Sequence, residues 1–159
     1  MTVAKKVMLD TTFLIDLSKE DNEFHKFSAS YLNYMESNKY SMYVSSIVYA
    51  EYCSGDPGKL EDILRYKPMA FNFDHALETG RIINSGYLKQ KDPKIKRWEA
   101  KNDCKIMASS SISEIGIILT RNPKDFERFQ PVLNNRIRVI DYSKENLGSL
   151  SEDGQHILL

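Results

Sequence analysis

The chain has 159 residues, 42% of them hydrophobic and 28% charged, the size and composition of one soluble globular domain with a single core rather than a disordered segment. Its 22 basic and 22 acidic side chains cancel, so no global basic excess signals nucleic acid and any such binding must come from a local patch. No apolar run approaches the roughly 20 residues of a bilayer-spanning helix, and the opening MTVAKKVMLD lacks the apolar stretch of a secretory signal.

In chain order, candidate strands fall at 5–10 (KKVMLD), 41–46 (SMYVSS), 69–73 (MAFNF), 115–120 (IGIILT) and 137–141 (IRVID). Several are short, apolar and β-branched, as suits strands buried on both faces. Between them lie helical candidates at 13–19, 23–37, 47–53, 59–66, 74–88 and about 102–113. The second carries apolar residues at helical spacing, the third follows Ser45 and Ser46 as possible caps, and the fourth follows the turn-like SGDPG. This alternation predicts one three-layer α/β domain around a mostly parallel sheet, with about 142–159 as a C-terminal extension. Cys53 and Cys104 form no CxxC pair and read as reduced thiols of a cytoplasmic protein.

Sheets of this kind bind ligands outside the carboxyl ends of their strands, so acidic residues there carry the most information. Asp10 closes the first strand. Glu51 lies in the helix after the second, in 48-VYAEY-52, among apolar neighbours unusual for a solvated glutamate. Asp103 lies in 101-KNDCKIMASSS-111, expected in the first turn or so of a helix. The fourth strand runs into 119-LTRNPKDF-126, delivering Thr120, Asn122 and Asp125 to the same edge. Singly, each has a plain role: Asp10 as a turn or cap residue, Asp103 as a cap or dipole partner, Asp125 on a solvated face. Together, several carboxylates at one edge repel unless a cation neutralises them, and oxygen-only ligands favour Mg²⁺ or Mn²⁺ over zinc. His25, His75 and His156 are scattered, show no HExxH spacing, and read as surface or structural residues.

The segments 9-LDTTFLIDL-17, Glu51, 102-NDCKIMASS-110 and 119-LTRNPKDFERF-129, in this order and over nearly the whole chain, resemble the PIN-domain nucleases, especially VapC-like toxin ribonucleases. The resemblance implies a three-layer α/β/α fold with a mostly parallel, roughly five-stranded sheet, and a divalent-metal-dependent endoribonuclease. It implies that Asp10, Glu51 and Asp103 hold one or two Mg²⁺ or Mn²⁺ ions, with Asn122 or Asp125 completing the catalytic set and Thr11, Thr12 and Thr120 supporting it. It also implies an RNA substrate, a VapB-like antitoxin and a homodimer. A housekeeping RNA-processing nuclease and a non-catalytic RNA- or protein-binding module are the alternatives. Two positions depart from the family pattern. Thr12 stands where the family usually has asparagine, and Asn122 where an aspartate commonly follows the strand's threonine, with Asp125 three residues on.

Other classes fit less well. A haloacid-dehalogenase-type phosphatase also begins with a strand ending in aspartate, but needs a second aspartate where this chain has Thr12. No GxGxxG or GxxxxGK[ST] loop marks a nucleotide site. The basic run 89-KQKDPKIKRWEAKNDCK-105 is the local patch that could neutralise phosphates, with Lys94, Lys96, Arg97 and Lys101 as candidate RNA-binding residues and Trp98 available to stack a base. Its plain alternative is a solvated connection with Trp98 plugging the core. Tyr31, Tyr34 and Met35, at helical spacing in 31-YLNYMESNKYSMYV-44, are most simply core residues; the family resemblance makes the early helices a groove for an antitoxin peptide.

Overall fold

The computed structural model describes residues 5–55, 63–85 and 97–150, apart from the side chains of 97–101. Five strands, β1 (Lys6–Leu9), β2 (Ser41–Ser45), β3 (Lys67–Met69), β4 (Ile117–Thr120) and β5 (Arg138–Asp141), form one sheet in the order β3-β2-β1-β4-β5. Every neighbouring pair is parallel, because helical crossovers separate the strands. Among the described residues the α-helices are α1 (Thr11–Ser18), α2 (His25–Ser37), α3 (Ser46–Gly55), α4 (Phe73–Ile83), α5 (Arg97–Ile112) and α6 (Pro123–Glu127), with short 3-10 helices at Gln130–Leu133 and Leu147–Leu150.

The central strands β1 and β4 are mostly apolar, KVML and IILT, because both faces are covered. Val7, Met8 and Leu9 are wholly buried, and all four β4 residues are buried. Tyr31, Leu32 and Met35 bring α2 into the same core, Ile82 brings α4, and Ile106, Met107 and Ala108 bring α5. Tyr31 and Met35 are therefore core residues, as their spacing suggests. No helix among the described residues is long and apolar enough to cross a membrane, and Cys53 and Cys104 are both free thiols.

Two boundaries move. The third strand is Lys67–Met69, paired with Tyr43–Ser45, not 69–73. Asn72 ends it: its side chain accepts the His75 N–H at 3.0 Å while its own N–H reaches His75 Nδ1 at 3.3 Å. That capping box starts α4 at Phe73. Pro68 is tolerated because β3 is an edge strand. Next, α5 begins at Arg97, so Asp103 sits nearly two turns inside the helix rather than in its first turn. Beyond β5, Tyr142 and Leu150 also reach the core: Tyr142 is wholly buried with its ring 5.0 Å from that of Phe13, and Leu150 is 1% exposed, while Lys144, Glu145 and Asn146 between them are exposed. Of the two possible capping serines before α3, Ser45 takes the role, its Oγ accepting the Ile47 N–H at 3.0 Å. The first half of the helix expected at 59–66, the end of that expected at 74–88, and residues 151–159 lie outside the described residues.

Candidate active site

From β1 the chain builds outward through β2 to β3, then returns to add β4 and β5 on the other side. The strand order therefore reverses between β1 and β4, the place where open α/β sheets bind ligands beyond the strand ends. Asp10 and Thr120 stand there.

Asp10 occupies the N-cap position of α1, yet its side chain makes no capping hydrogen bond. Its Oδ2 instead accepts the Thr120 hydroxyl at 2.8 Å and the Thr12 hydroxyl at 3.1 Å. Each hydroxyl in turn accepts a backbone N–H from the turn after β4: Asn122 donates to Thr120 at 3.0 Å and Arg121 to Thr12 at 3.1 Å. Thr12 thus fills a defined place with a hydroxyl. Burial pushes the Asp10 carboxyl above its ordinary range; hydrogen bonds from Thr120, the Thr11 backbone and Thr12 oppose the rise, and the charge of Glu51 adds to it.

Glu51, half-buried on α3, faces the same edge. Its Oε2 accepts the Thr11 hydroxyl at 2.5 Å and its Oε1 accepts Asn102 Nδ2 at 3.0 Å. Asn102 precedes Asp103 on α5. The Asp103 carboxyl is pushed up to about 7, foremost by burial, then by the charges of Asp10 and Asp125, with Arg128 opposing and Glu51 adding. Asp125, in α6, is held by Arg128, whose Nη2 donates to Oδ1 and whose Nε donates to the Asp125 carbonyl, both at 2.9 Å. Asn122 is exposed at the N-cap of α6 and makes no side-chain capping bond.

Asp10, Glu51, Asp103 and Asp125 thus come from four elements to one region, near enough for the other three to raise the Asp103 carboxyl. Among the described residues, no group of three or more His, Cys, Asp or Glu side chains is already arranged to hold a metal ion. Glu51 is turned to Thr11 and Asn102, and Asp125 to Arg128. The donors are nonetheless all hard oxygens, the chemistry that suits Mg²⁺ or Mn²⁺, and a cation there would relieve the repulsion felt at Asp103.

Of the expected RNA-binding residues, Lys94 and Lys96 lie outside the described residues, as do the side chains of Arg97, Trp98 and Lys101. His75 serves the α4 capping box and the His25 ring faces the Asp16 carbonyl at 3.2 Å; His156 is outside the described residues. Sequence reasoning passed over Asp16, Arg121 and Arg128. Asp16 carried a signal, a lone charge inside the apolar run 13-FLIDL-17, and it proves wholly buried with an ion pair to Arg121 Nε at 2.9 Å.

No protein-family model and no curated protein matches this chain. Solved structures do match. One is FitAcB from Neisseria gonorrhoeae, with TM-score 0.63 and 17% identity over 87% of this chain and 99% of that one. DNA-bound VapBC from Salmonella typhimurium gives TM-score 0.61 and 22% identity over 86% and 98%. VapBC2 from Rickettsia felis, bound to a DNA fragment from their promoter, gives 0.64 and 22% over 85% and 97%. The likeness is one of fold. It extends over nearly the full length of each matched chain, consistent with a PIN-like α/β domain.

Proposed function

We propose that this chain is a divalent-cation-dependent endoribonuclease and the toxin component of a VapBC-type toxin–antitoxin pair. The observation that carries the reading is the meeting of Asp10, Glu51, Asp103 and Asp125 at the switch point of the sheet, with Asp103 pushed up to about 7. A cluster of carboxylates whose charges raise the proton affinity of Asp103 is built at a cost in stability, and a cation-dependent reaction gives it a use. The likeness to VapBC and FitAcB chains agrees with this reading, and the sequence motifs favour the nuclease component over its partner.

Asp10, Glu51 and Asp103 would hold Mg²⁺ or Mn²⁺. Asp125 is preferred over Asn122 as the completing residue, because its charge already acts on Asp103. One or two bound ions supply an acidified attacking water and charge neutralisation at the scissile phosphodiester. The chain's own residues do the rest. Thr12 and Thr120 hold Oδ2 of Asp10 in one orientation. Thr11 and Asn102 hold Glu51, and Arg128 holds Asp125. With a carboxyl near 7, Asp103 keeps a proton close to neutral pH until a cation replaces it. An antitoxin and a second copy of the chain are the expected protein partners.

One observation favours a second reading, a non-catalytic module: both Glu51 oxygens already carry hydrogen bonds. A single experiment separates the two. With Mn²⁺, the chain should cut a random-sequence single-stranded RNA pool, EDTA should stop it, and Asp10→Asn and Asp103→Asn should abolish cutting while leaving the fold intact. Unchanged cutting by both variants removes the assigned site. RNA binding without cutting in any divalent ion selects the module.

A further inference from the structure

We infer that Arg121 binds a phosphate of the RNA backbone beside the cleavage site, an inference that rests on the ribonuclease reading above. Arg121 is the residue after Thr120, and its backbone N–H is bonded to Thr12. It therefore belongs to the turn that locks Asp10. Its side chain is anchored on Asp16, where Nε donates to Oδ2 at 2.9 Å and Nη2 to Oδ1 at 3.4 Å.

The anchor is unusually well built. Asp16 is wholly buried, and besides Arg121 it accepts the Tyr142 hydroxyl at 2.5 Å and Asn22 Nδ2 at 2.8 Å. The guanidinium is held by one edge on this carboxylate and by one face on Phe24, whose ring centre is 4.4 Å from Cζ. Yet the Arg121 side chain remains 33% exposed. A guanidinium has five N–H donors in one plane. Two go to Asp16 and a further one is within reach of the Tyr142 hydroxyl oxygen, which still leaves part of the fork uncommitted. An arginine fixed on an edge and a face, with donors left over at the surface, is prepared for an anion, and the planar fork suits a phosphate better than an ammonium would.

Location gives the ligand class. Asp16 lies six residues beyond Asp10 on α1, about 9 Å by helical rise. The guanidinium therefore stands beside the carboxylates rather than among them, where a phosphate next to the scissile one would pass. A polyanion approaching four carboxylates needs a fixed cation at their margin. Arg128 is turned to Asp125, one of the carboxylates of the edge itself; Arg121 is anchored away from them on Asp16 and keeps a third of its side chain exposed.

The test is cleavage kinetics on the same random-sequence RNA pool with Mn²⁺, alongside Mn²⁺ affinity by calorimetry. Arg121→Gln alone would strand Asp16 as a buried unpaired charge, so it is combined with Asp16→Asn, which also leaves the net charge unchanged. Arg121→Lys, which keeps the charge and loses the fork, is the second variant. The double variant should raise KM roughly tenfold, with kcat and Mn²⁺ affinity nearly unchanged; Arg121→Lys should raise KM by less. Unchanged KM in both overturns the inference, and so does a joint fall in kcat and Mn²⁺ affinity, which would make Arg121 a packing residue. A wild-type chain that neither binds nor cuts RNA sinks the ribonuclease reading itself, and this inference with it.

Discussion

The Thr12 hydroxyl donates to Asp10 Oδ2 at 3.1 Å while accepting the backbone N–H of Arg121 at 3.1 Å. One side chain therefore ties the start of α1 to the turn after β4, across the switch point of the sheet. Thr120 makes the matching link from the other side, taking the Asn122 N–H and donating to the same carboxylate oxygen.

Thr12→Val removes a donor to a buried carboxylate and leaves the Arg121 N–H without its acceptor. It should cost about 1–3 kcal/mol in urea unfolding and weaken Mn²⁺ binding. Thr12→Ser keeps the hydroxyl and should stay close to the wild type in both. Equal behaviour of the two variants would mean that the hydroxyl does not orient Asp10.

Tyr142→Phe keeps the ring that packs at 5.0 Å on Phe13 but removes the hydroxyl that donates to Asp16. A lost hydrogen bond to a buried charge predicts a destabilisation of about 1.5–3 kcal/mol, read from the shift of the denaturant midpoint at constant slope. A midpoint within error of the wild type would show that Arg121 and Asn22 suffice for Asp16.

The pH dependence of the metal-free protein follows from the sign of two shifts. Asp10 and Asp103 both have carboxyls raised above their ordinary values, Asp103 to about 7. A raised carboxyl favours the folded state most fully below its unfolded pKa and withdraws that support as pH climbs through the folded one. In EDTA, the melting temperature should therefore decline between about pH 4 and just above pH 7 from these groups. Mn²⁺ should restore it at the upper end and bind more weakly below about pH 7, where it competes with the Asp103 proton. Melting curves with and without Mn²⁺ across that interval check both halves; a rise in the metal-free melting temperature through pH 7 would contradict the shift.

Asp125→Asn distinguishes the two residues that could complete the site. Removing the Asp125 charge takes away one cause of the Asp103 shift and leaves Arg128, which acts in the opposite sense. The Asp103 carboxyl should drop toward its ordinary value, visible by carboxyl-carbon NMR titration. Asn122→Ala should leave that titration where it is. The reverse pattern would transfer the role to Asn122.

Much of this geometry is legible in the residues because it follows from local rules. A buried parallel strand reads as an apolar run, so β1 and β4 stand out, and a strand end is where ligands gather, so Asp10 and Thr120 do as well. Edge strands are harder. The short, proline-containing β3 has no apolar run to mark it, and the Asn72 cap that ends it depends on the partner His75 side chain. The sequence pattern puts Asp103 near a helix start, whereas α5 extends back to Arg97. Asp16 could be noticed as a charge out of place, but two of its partners, Arg121 and Tyr142, are 105 and 126 residues away in sequence. Pairings at that range are set by the topology of the sheet, which no local pattern announces.

That long reach bears on when the chain could become active during synthesis. The Thr120 bond to Asp10 spans 110 residues, and the Tyr142 bond to Asp16 spans 126. Contacts so distant form only after large loops close, which places them late in assembly. The two ends of the carboxylate edge are thus stitched together by the first and last thirds of the polypeptide. A half-made chain carries Asp10 and Glu51 but neither Thr120 nor Tyr142, so under the proposed function the nascent chain would stay inert until nearly all of it has been translated.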